Sequence, residues 1–219
     1  MEKKTHRLWL SLCALALFVV WTVCVRYVEV EAVGPQGSRV GFATLNTAFH
    51  NFTGVHMALY TITDWLGLVP IAIALGFAVI GLVQLLRRKS LFRVDINILA
   101  LGVFYLMVMG VFVFFEIVVI NYRPVLISGM LEASYPSSTT MLAMSVMPTA
   151  FLQCDVYIAK KLLRRTVKAI VALFCAFMVL ARLVSGVHWL TDIVGGALIS
   201  ASLVSAYSIF CEGKHQKLN

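Results

Sequence analysis

Residues 96–120 read INILALGVFYLMVMGVFVFFEIVVI, a nearly unbroken apolar stretch in which the only acidic residue, Glu116, falls near the end. A helix needs about 20 apolar residues to cross roughly 30 Å of hydrocarbon. The window from Ile96 to Ile120 is long enough for that. Its length and composition therefore predict a membrane-spanning helix.

Five further windows of the same kind surround this stretch. The chain is 61% hydrophobic and only 13% charged, outside the usual range for a soluble domain. We find no internal repeat, low-complexity tract or linker between the windows. The sequence predicts an all-α polytopic membrane protein, a six-transmembrane-helix bundle that forms a single domain over residues 1–219. The other five windows are Leu8 to Val28, Trp65 to Leu86, Thr140 to Ile158, Val167 to Leu183 and Trp189 to Phe210.

The first window has one alternative interpretation, a cleaved signal peptide, because Lys3, Lys4 and Arg7 precede it. It contains no clear small-x-small cleavage site, and its apolar part is longer than a usual signal core. We therefore interpret it as a helix of the bundle.

The basic residues indicate an orientation. Of the 18 Lys and Arg residues, 14 fall in four groups that lie on one side of a six-helix bundle. The positive-inside rule makes that side cytoplasmic, with both termini, and places the opposite face outside. The net charge of +8 is thus a topological signal, and no nucleic-acid partner is expected. The groups are Lys3, Lys4 and Arg7; Arg87, Arg88, Lys89 and Arg93; Lys160, Lys161, Arg164, Arg165 and Lys168; and Lys214 and Lys217.

The longest outward connection runs from about Glu29 to Asp64. Its part from Phe42 to Leu59 carries intermittent apolar residues, which fit either an interfacial amphipathic helix or an ordered loop that caps the bundle. Both interpretations stay open on the sequence alone.

The two short outward connections, NYRPVLISGMLEASYPSSTT over 121–140 and LVSGVHW over 183–189, concentrate the polar chemistry. His188 and Asp192 are four residues apart and would share a helix face. A carboxylate there can accept a hydrogen bond from one imidazole nitrogen and leave the other free to attack an electrophile.

Arg182 falls near the end of an apolar window, where an unpaired guanidinium group would be costly, so we expect it to have an anionic partner. The alternatives are a histidine that only joins helices and an arginine that snorkels to the headgroups.

The start of the fourth window suggests an anion site. Pro136 is expected at the first helical position, so that the amides and hydroxyls of Ser137, Ser138 and Thr139 point outward at the positive end of the helix dipole. The alternative is a serine-rich N-cap that binds no ligand.

Three segments together resemble the type 2 phosphatidic acid phosphatase family, relatives of the vanadium haloperoxidases, whose motifs are KxxxxxxRP, PSGH and SRxxxxxHxxxD. The corresponding segments are EIVVINYRP over 116–124, PSST over 136–139 and ARLVSGVHWLTD over 181–192. The resemblance implies that His188 forms a phosphohistidine and that Asp192 orients it. It also implies that Arg123, Ser137 and Arg182 hold the phosphate oxygens.

Four motif positions depart from the family pattern: Glu116 replaces Lys, Ser138 replaces Gly, Thr139 replaces His and Ala181 replaces Ser. Thr139 cannot protonate a leaving group as the family's histidine does. Loss of general acid catalysis typically lowers the reaction rate by about 100-fold to 10,000-fold. The loss is smallest when the leaving group is a phosphate, which departs without a proton more readily than an alkoxide.

The resulting functional hypothesis is an outer-leaflet lipid phosphatase that prefers a lipid diphosphate such as a polyprenyl diphosphate. Glu116 or Glu132 is a possible replacement acid, and Glu116 is otherwise expected to pair with Arg123 or to be neutralised by burial. The alternatives are a phosphotransferase and an impaired member that binds or senses an anionic lipid. A channel or secondary transporter is disfavoured, since no inverted repeat is detected. Expected partners are the lipid substrate and membrane lipids, with no cofactor and no metal, and the expected location is a bacterial cytoplasmic membrane.

Overall fold

Eight α-helices account for most of residues 2–211, the part of the chain that this computed structural model describes. Within that part no β-strand forms, and pairing is limited to isolated bridges. The prediction of an all-α protein is confirmed. The helices are α1 Glu2–Tyr27, α2 Ala43–Thr53, α3 Met57–Leu66, α4 Leu68–Arg88, α5 Ile96–Ile117, α6 Ser138–Tyr157, α7 Lys161–Val184 and α8 Leu190–Cys211, with short 3-10 turns at Pro35–Gly37 and Leu91–Arg93.

Five of the described segments are long and apolar enough to cross a membrane. In hydrocarbon every backbone polar group needs an internal partner, and a helix provides one for each. The chain is thus an integral membrane protein, whereas the count of six spans stays a prediction because α6 is not among the five. The five are Lys4–Tyr27, Met57–Arg88, Ile96–Ile117, Lys161–Val184 and Leu190–Ile209.

Helix α6 packs against α4, α5, α7 and α8 and buries several hydroxyl groups against them. Ser145 Oγ donates a hydrogen bond to Ser200 Oγ of α8 at 3.1 Å. The hydroxyl groups of Thr149 and Tyr105 of α5 are 3.0 Å apart. Buried hydroxyls are tolerated when they are paired in this way. The polarity that lowers the apolar character of α6 therefore joins it to the centre of the bundle.

Several helices begin outside the apolar windows. Helix α7 starts at Lys161 and not at Val167, so that much of the third basic group lies on a helix and not in a loop. Asp155 of α6 explains this, since its carboxylate lies 2.5 Å from Lys168 Nζ and 3.5 Å from Arg164 Nε. Helix α1 likewise starts at Glu2. An apolar window corresponds only to the part of a helix inside the hydrocarbon core, whereas the helix itself continues into the headgroup region.

The bundle has two chemically different ends. The first, which we call the basic end, carries Arg7, Arg88 and the start of α7, and there Arg7 Nη1 donates to Ser208 O at 3.0 Å. The second, the site end, carries the last turns of α1, α5 and α7 and the first turns of α6 and α8. Lys214 and Lys217 of the predicted cytoplasmic group lie outside the described residues.

Helix α8 occupies the middle of the bundle. It contacts α1, α5 and α6, and half of the residues in its apolar window are buried, against 11% for Met57–Arg88. Aromatic and aliphatic side chains pack against α8 from three helices and the loop before α6. The main buried cluster comprises Phe18, Val25, Leu101, Phe104, Val108, Phe115, Tyr135, Met141, Ile199 and Tyr207.

The long connection between α1 and α4 forms two short helices at the site end, α2 and α3, and not one interfacial helix. The Asn46 side chain of α2 is fully buried and hydrogen-bonds to Thr191 of α8 twice, at 3.0 Å to Oγ1 and at 3.2 Å from the backbone N. These contacts cap the bundle, so the second sequence interpretation fits better than the first. Helix α3 packs on α7.

The link between α7 and α8 touches the turn between α2 and α3 with no side chain in between. Gly186 has φ +69°, and a Cβ built on it would lie 1.9 Å from Gly54 O. The neighbouring Ser185 O accepts a hydrogen bond from His56 N at 2.9 Å. Only glycine suits both the left-handed backbone and the close approach. This contact fixes the position of His188, two residues later in the chain, relative to α2 and α3.

We predict that Gly186→Ala lowers thermal stability far more than Gly129→Ala. Gly129 also has a positive φ, +79°, but a Cβ there meets nothing within 4 Å. Both variants therefore incur left-handed strain of about 1–2 kcal/mol, while only Gly186→Ala must also displace Gly54. Thermal unfolding of the purified full chain in detergent measures the difference. Equal melting temperatures would show that the close approach does not exist.

Candidate active site

A loop that folds back on itself forms one wall of the site. Arg123 N donates to Glu132 O at 3.0 Å, and Ser134 N donates to Asn121 O at 2.9 Å. These paired backbone contacts hold the two sides of the loop between α5 and α6 together. They bring Arg123 and Ser134, eleven positions apart, to His188, where Arg123 faces Nε2 and Ser134 faces Nδ1.

Asp192 lies at the bottom of the site with no solvent exposure. Its Oδ2 accepts hydrogen bonds from Trp189 N at 2.9 Å and from the Ser134 hydroxyl, and its Oδ1 accepts one from Asn121 Nδ2 at 3.3 Å. A buried carboxylate is costly unless such donors replace its water. Two donors from the α5–α6 loop and one from the link before α8 thus hold an ionised carboxylate in one orientation.

His188 lies in the link before α8 and not on that helix, which begins at Leu190. The prediction of a direct hydrogen bond between His188 and Asp192 is wrong, since His188 Nδ1 and Asp192 Oδ2 are 3.8 Å apart. The hydroxyl of Ser134 lies between them, 2.9 Å from Nδ1 and in contact with Oδ2. The two residues belong to one constellation, but a third side chain connects them.

The other ring nitrogen of His188 faces Arg123, whose Nη1 is 3.3 Å from Nε2. The imidazole is almost fully buried. Burial lowers the pKa of His188 well below its ordinary value of 6.5, and the nearby guanidinium groups of Arg123 and Arg182 lower it further. The ring is therefore neutral at physiological pH, as a nucleophilic nitrogen must be.

Arg123 forms its ion pair with Glu132, so the expected pairing with Glu116 is wrong, and Glu116 is exposed, so the alternative of a buried Glu116 is wrong as well. Its Nε lies 3.0 Å from Glu132 Oε2. The N–H is not aligned with the carboxylate, so Nε has charge contact without a hydrogen bond. The folded-back loop explains the choice, because it places Glu132 directly opposite Arg123.

Arg182 is buried to 1% exposure and does not snorkel. Its Nη1 donates to Thr63 Oγ1 at 3.2 Å and to Tyr60 O at 3.4 Å, and the predicted anionic partner is Asp64, 3.9 Å from Nη2 and largely exposed. Its Nε has no hydrogen-bond partner among the described residues. A buried N–H without a partner costs about 1–3 kcal/mol, so this atom is ready to receive an acceptor oxygen.

Tyr60 of α3 lies beside both arginines. Its ring centroid is 4.7 Å from the Arg182 guanidinium carbon and 5.9 Å from that of Arg123. An aromatic face stabilises a cation at such distances, and here it supports two like charges that repel each other. The two guanidinium groups thus share one aromatic ring, and both positive charges act on His188, whose Nε2 Arg123 contacts directly.

The start of α6 differs from its prediction by two residues. Pro136 precedes the N-cap, which is Ser137, and the helix begins at Ser138. The Ser137 hydroxyl accepts from Thr140 N, and its backbone N donates to Asp192 O at 3.0 Å. The N-cap alternative is therefore present in the structure, and the phosphate-binding roles of Ser137, Ser138 and Thr139 stay predictions.

Glu116 and Ser138 line a narrow cavity with His188 and Ser134. Its volume is only about 10 Å³, and Phe112, Phe115 and Met141 are among its other lining residues. Thr139 is not part of its lining. Of the two possible replacement acids, Glu116 thus shares a cavity with the imidazole, while Glu132 contacts Arg123.

Sequence reasoning missed four side chains that build the site: Ser134, Asn121, Tyr60 and Asn46. Ser134 and Asn121 lie in the quoted loop, but nothing in their spacing indicates that the loop folds back. Tyr60 and Asn46 belong to the long connection, where Asn46 orients Thr191 beside Asp192. A signal existed for Asn46 in the form of a lone amide on the apolar face of a short amphipathic segment.

These features define a class: an integral membrane protein with a buried histidine, a buried carboxylate and two buried arginines at one end of its bundle. The family model described as "PAP2 superfamily" matches residues 40–214, and the chain belongs to that family. No curated protein sequence matches the chain significantly.

The fold is also similar to a solved structure described as the first transmembrane PAP2 type phosphatidylglycerolphosphate phosphatase from Bacillus subtilis. The TM-score is 0.53 at 19% sequence identity, and the match covers 96% of this chain and 98% of that one. At this identity the similarity establishes the shared fold.

We predict that Glu132→Gln strengthens the binding of inorganic phosphate by roughly 2- to 5-fold. The half-exposed carboxylate competes for Arg123, and partly exposed ion pairs are worth about 0.2–1 kcal/mol. Titration calorimetry on the purified full chain measures the affinity. Glu31→Gln, an exposed glutamate on the α1–α2 connection, is the matched control. Unchanged or weaker phosphate binding in Glu132→Gln would contradict the prediction.

Proposed function

We propose that this protein is a membrane lipid phosphatase that cleaves phosphate from a lipid phosphate or diphosphate through a phosphohistidine on His188. Its active site would face the outer leaflet of a bacterial cytoplasmic membrane. Family membership and the fold support phosphatase chemistry at the level of the family. The basic end of the bundle supports the orientation through the positive-inside rule.

Two guanidinium groups near His188 support this proposal most strongly. Arg123 Nη1 reaches Nε2, and Arg182, which contacts the same Tyr60 ring as Arg123, presents a buried Nε without a partner among the described residues. Arginine forks match the oxygens of a phosphoryl group and stabilise the charge that spreads over them during transfer. The pocket is thus suited to a phosphoryl group next to a neutral imidazole.

In the proposed first step, Nε2 attacks phosphorus, the N–P bond forms and the bond from phosphorus to the leaving oxygen breaks. In the second step a water molecule attacks the phosphohistidine, the N–P bond breaks and phosphate departs. Ser137 and Ser138 at the start of α6 would add hydroxyl or amide donors near the positive end of the helix dipole.

The leaving oxygen needs a proton when it is an alkoxide, and Thr139 cannot supply one. We choose Glu116 as the replacement acid because its carboxyl group is exposed and unpaired with Arg123, whereas Glu132 forms the ion pair with Arg123. A diphosphate substrate avoids most of this requirement, because a phosphate leaves without a proton far more readily than an alkoxide does. We therefore propose that lipid diphosphates, such as a polyprenyl diphosphate, are preferred.

Two features favour a second candidate, a non-catalytic protein that binds or senses an anionic lipid headgroup. Thr139 removes the usual acid, and Glu132 occupies one face of Arg123. The same pocket would then hold a phosphate without turnover. Phosphate release distinguishes the two candidates.

We predict that the purified full chain releases phosphate from lipid diphosphates at least 10-fold faster than from monoester lipids, including phosphatidylglycerolphosphate. The difference reflects the weak acid supply at the leaving oxygen. Phosphate release from a panel of lipids in mixed micelles is the measurement, with His188→Ala as the inactive control. Glu116→Gln should slow monoesters more than diphosphates.

If the wild-type chain releases phosphate from every lipid no faster than His188→Ala does, the enzyme proposal is overturned and headgroup binding is favoured. Equal or faster turnover of monoesters would overturn only the diphosphate preference.

We predict that the rate of phosphohistidine formation stays constant as the pH falls from 8 to about 6.5 and declines only below that. The neutral imidazole is the nucleophile, and burial with two nearby cations lowers its pKa below the ordinary 6.5. Protonation therefore begins to remove the nucleophile at more acidic pH than for a free histidine. Single-turnover rates across this pH range test it, and a half-maximal point above 6.5 would contradict it.

A further inference from the structure

We infer that Ser134 is a positioning residue that relays hydrogen bonding between His188 and Asp192 and thereby makes Nε2 the nucleophilic nitrogen. The inference rests on the proposed function for its catalytic meaning. The tautomer that it assigns to His188 is a property of the folded chain and is measurable without turnover.

The geometry leaves no direct contact for the pair to use. His188 Nδ1 and Asp192 Oδ2 are 3.8 Å apart, beyond hydrogen-bond reach. Ser134 Oγ is 2.9 Å from Nδ1 and hydrogen-bonds to Oδ2. All three side chains are almost completely buried, so bulk water does not compete with the relay.

The number of protons available on Ser134 and His188 fixes which group donates in each hydrogen bond of the relay. The carboxylate of Asp192 is an acceptor, so the single hydroxyl proton of Ser134 is donated to it. Ser134 Oγ can then only accept from His188, which requires the proton of the neutral ring to be on Nδ1. The lone pair is consequently on Nε2.

A second contact points independently to the same tautomer. Arg123 Nη1 is a permanent donor and lies 3.3 Å from Nε2. A proton on Nε2 would face this N–H directly. The arginine on one side of the ring and the serine on the other thus both require a bare Nε2.

Ser134 is itself held in place by its surroundings. Its backbone N donates to Asn121 O at 2.9 Å. The next residue, Tyr135, packs its ring where a Cβ on Gly195 of α8 would come within 2.5 Å, and its hydroxyl is 2.7 Å from Thr22 Oγ1. The serine hydroxyl is therefore pre-organised by α1, α8 and the folded-back loop.

The relay has a defined role in the proposed reaction. When Nε2 bonds to phosphorus, the ring becomes a cation and keeps its proton on Nδ1. Ser134 accepts this N–H while donating to Asp192, so the carboxylate stabilises the positive ring through the serine. Partners that orient a functional histidine in this way typically change activity by about 10- to 100-fold.

The first experiment determines the tautomer by NMR of the purified full chain in detergent with ¹⁵N-labelled histidine. The His188 signals are identified by their loss in His188→Ala. We expect the Nδ1-protonated tautomer in the wild-type chain. In Ser134→Ala the Nδ1–H loses its acceptor while Arg123 still keeps Nε2 bare, so the tautomer should stay and the Nδ1 proton should move to the chemical shift of an N–H without a hydrogen bond. An Nε2-protonated wild-type ring, or an Nδ1 proton signal that Ser134→Ala leaves unchanged, would overturn the inference whatever the activity.

The second experiment is a double-mutant cycle on the rate of phosphohistidine formation. Ser134→Ala should slow it about 10- to 100-fold, with the substrate KM changed less than 3-fold. The loss should nearly vanish in an Asp192→Asn background, because a relay works only as a unit. If the fold-losses in rate of Ser134→Ala and Asp192→Asn instead multiply in the double variant, the inference is overturned.

The matched control is Ser145→Ala, which removes a buried serine that hydrogen-bonds to Ser200 away from the site. It should lower the melting temperature as much as Ser134→Ala without the loss in rate. A wild-type chain that forms no phosphohistidine would refute the proposed function, while the NMR result would still decide the relay.

Discussion

A carboxylate buried in the site end organises the protein's polar chemistry. Asp192 has no solvent exposure, and its charge is stable only because protein donors replace water. Two of those donors, Asn121 and Ser134, come from the α5–α6 loop, and the third, Trp189 N, comes from the link before α8. Each segment is therefore fixed relative to Asp192, and the position of His188 follows from the same contacts.

The membrane environment extends this constraint to the whole bundle. Lipid tails offer no hydrogen-bond partners, so the hydroxyl groups of membrane helices need partners on other helices. Those of Ser145 on α6 and Ser200 on α8 bond to each other at the centre of the bundle. The apolar bundle supplies a rigid frame, and the site is built on helix ends and short links where backbone donors are free. Tyr60 and Thr63 on α3 complete it by covering Arg182.

The sequence predicted the helical class well, because spans of apolar residues have few alternatives in hydrocarbon. It also placed Arg123, Arg182, His188 and Asp192 in one site, since their motif spacing survives intact. It failed where a loop folds back on itself: pairing of Arg123 with Glu132 and insertion of Ser134 both depend on backbone contacts without a periodic signal. Asp155 likewise extended α7 beyond its apolar window through long-range ion pairs.

In the proposed mechanism Nε2 of His188 carries the phosphoryl group during turnover. The most direct test is to mix the full chain with a lipid diphosphate labelled with ³²P at the terminal phosphate, quench in alkali within one turnover and map the label by mass spectrometry. We expect phosphate on His188, bonded to Nε2, at a level that rises and decays with product formation. Release of labelled phosphate with no phosphorylated His188 at any time would contradict it.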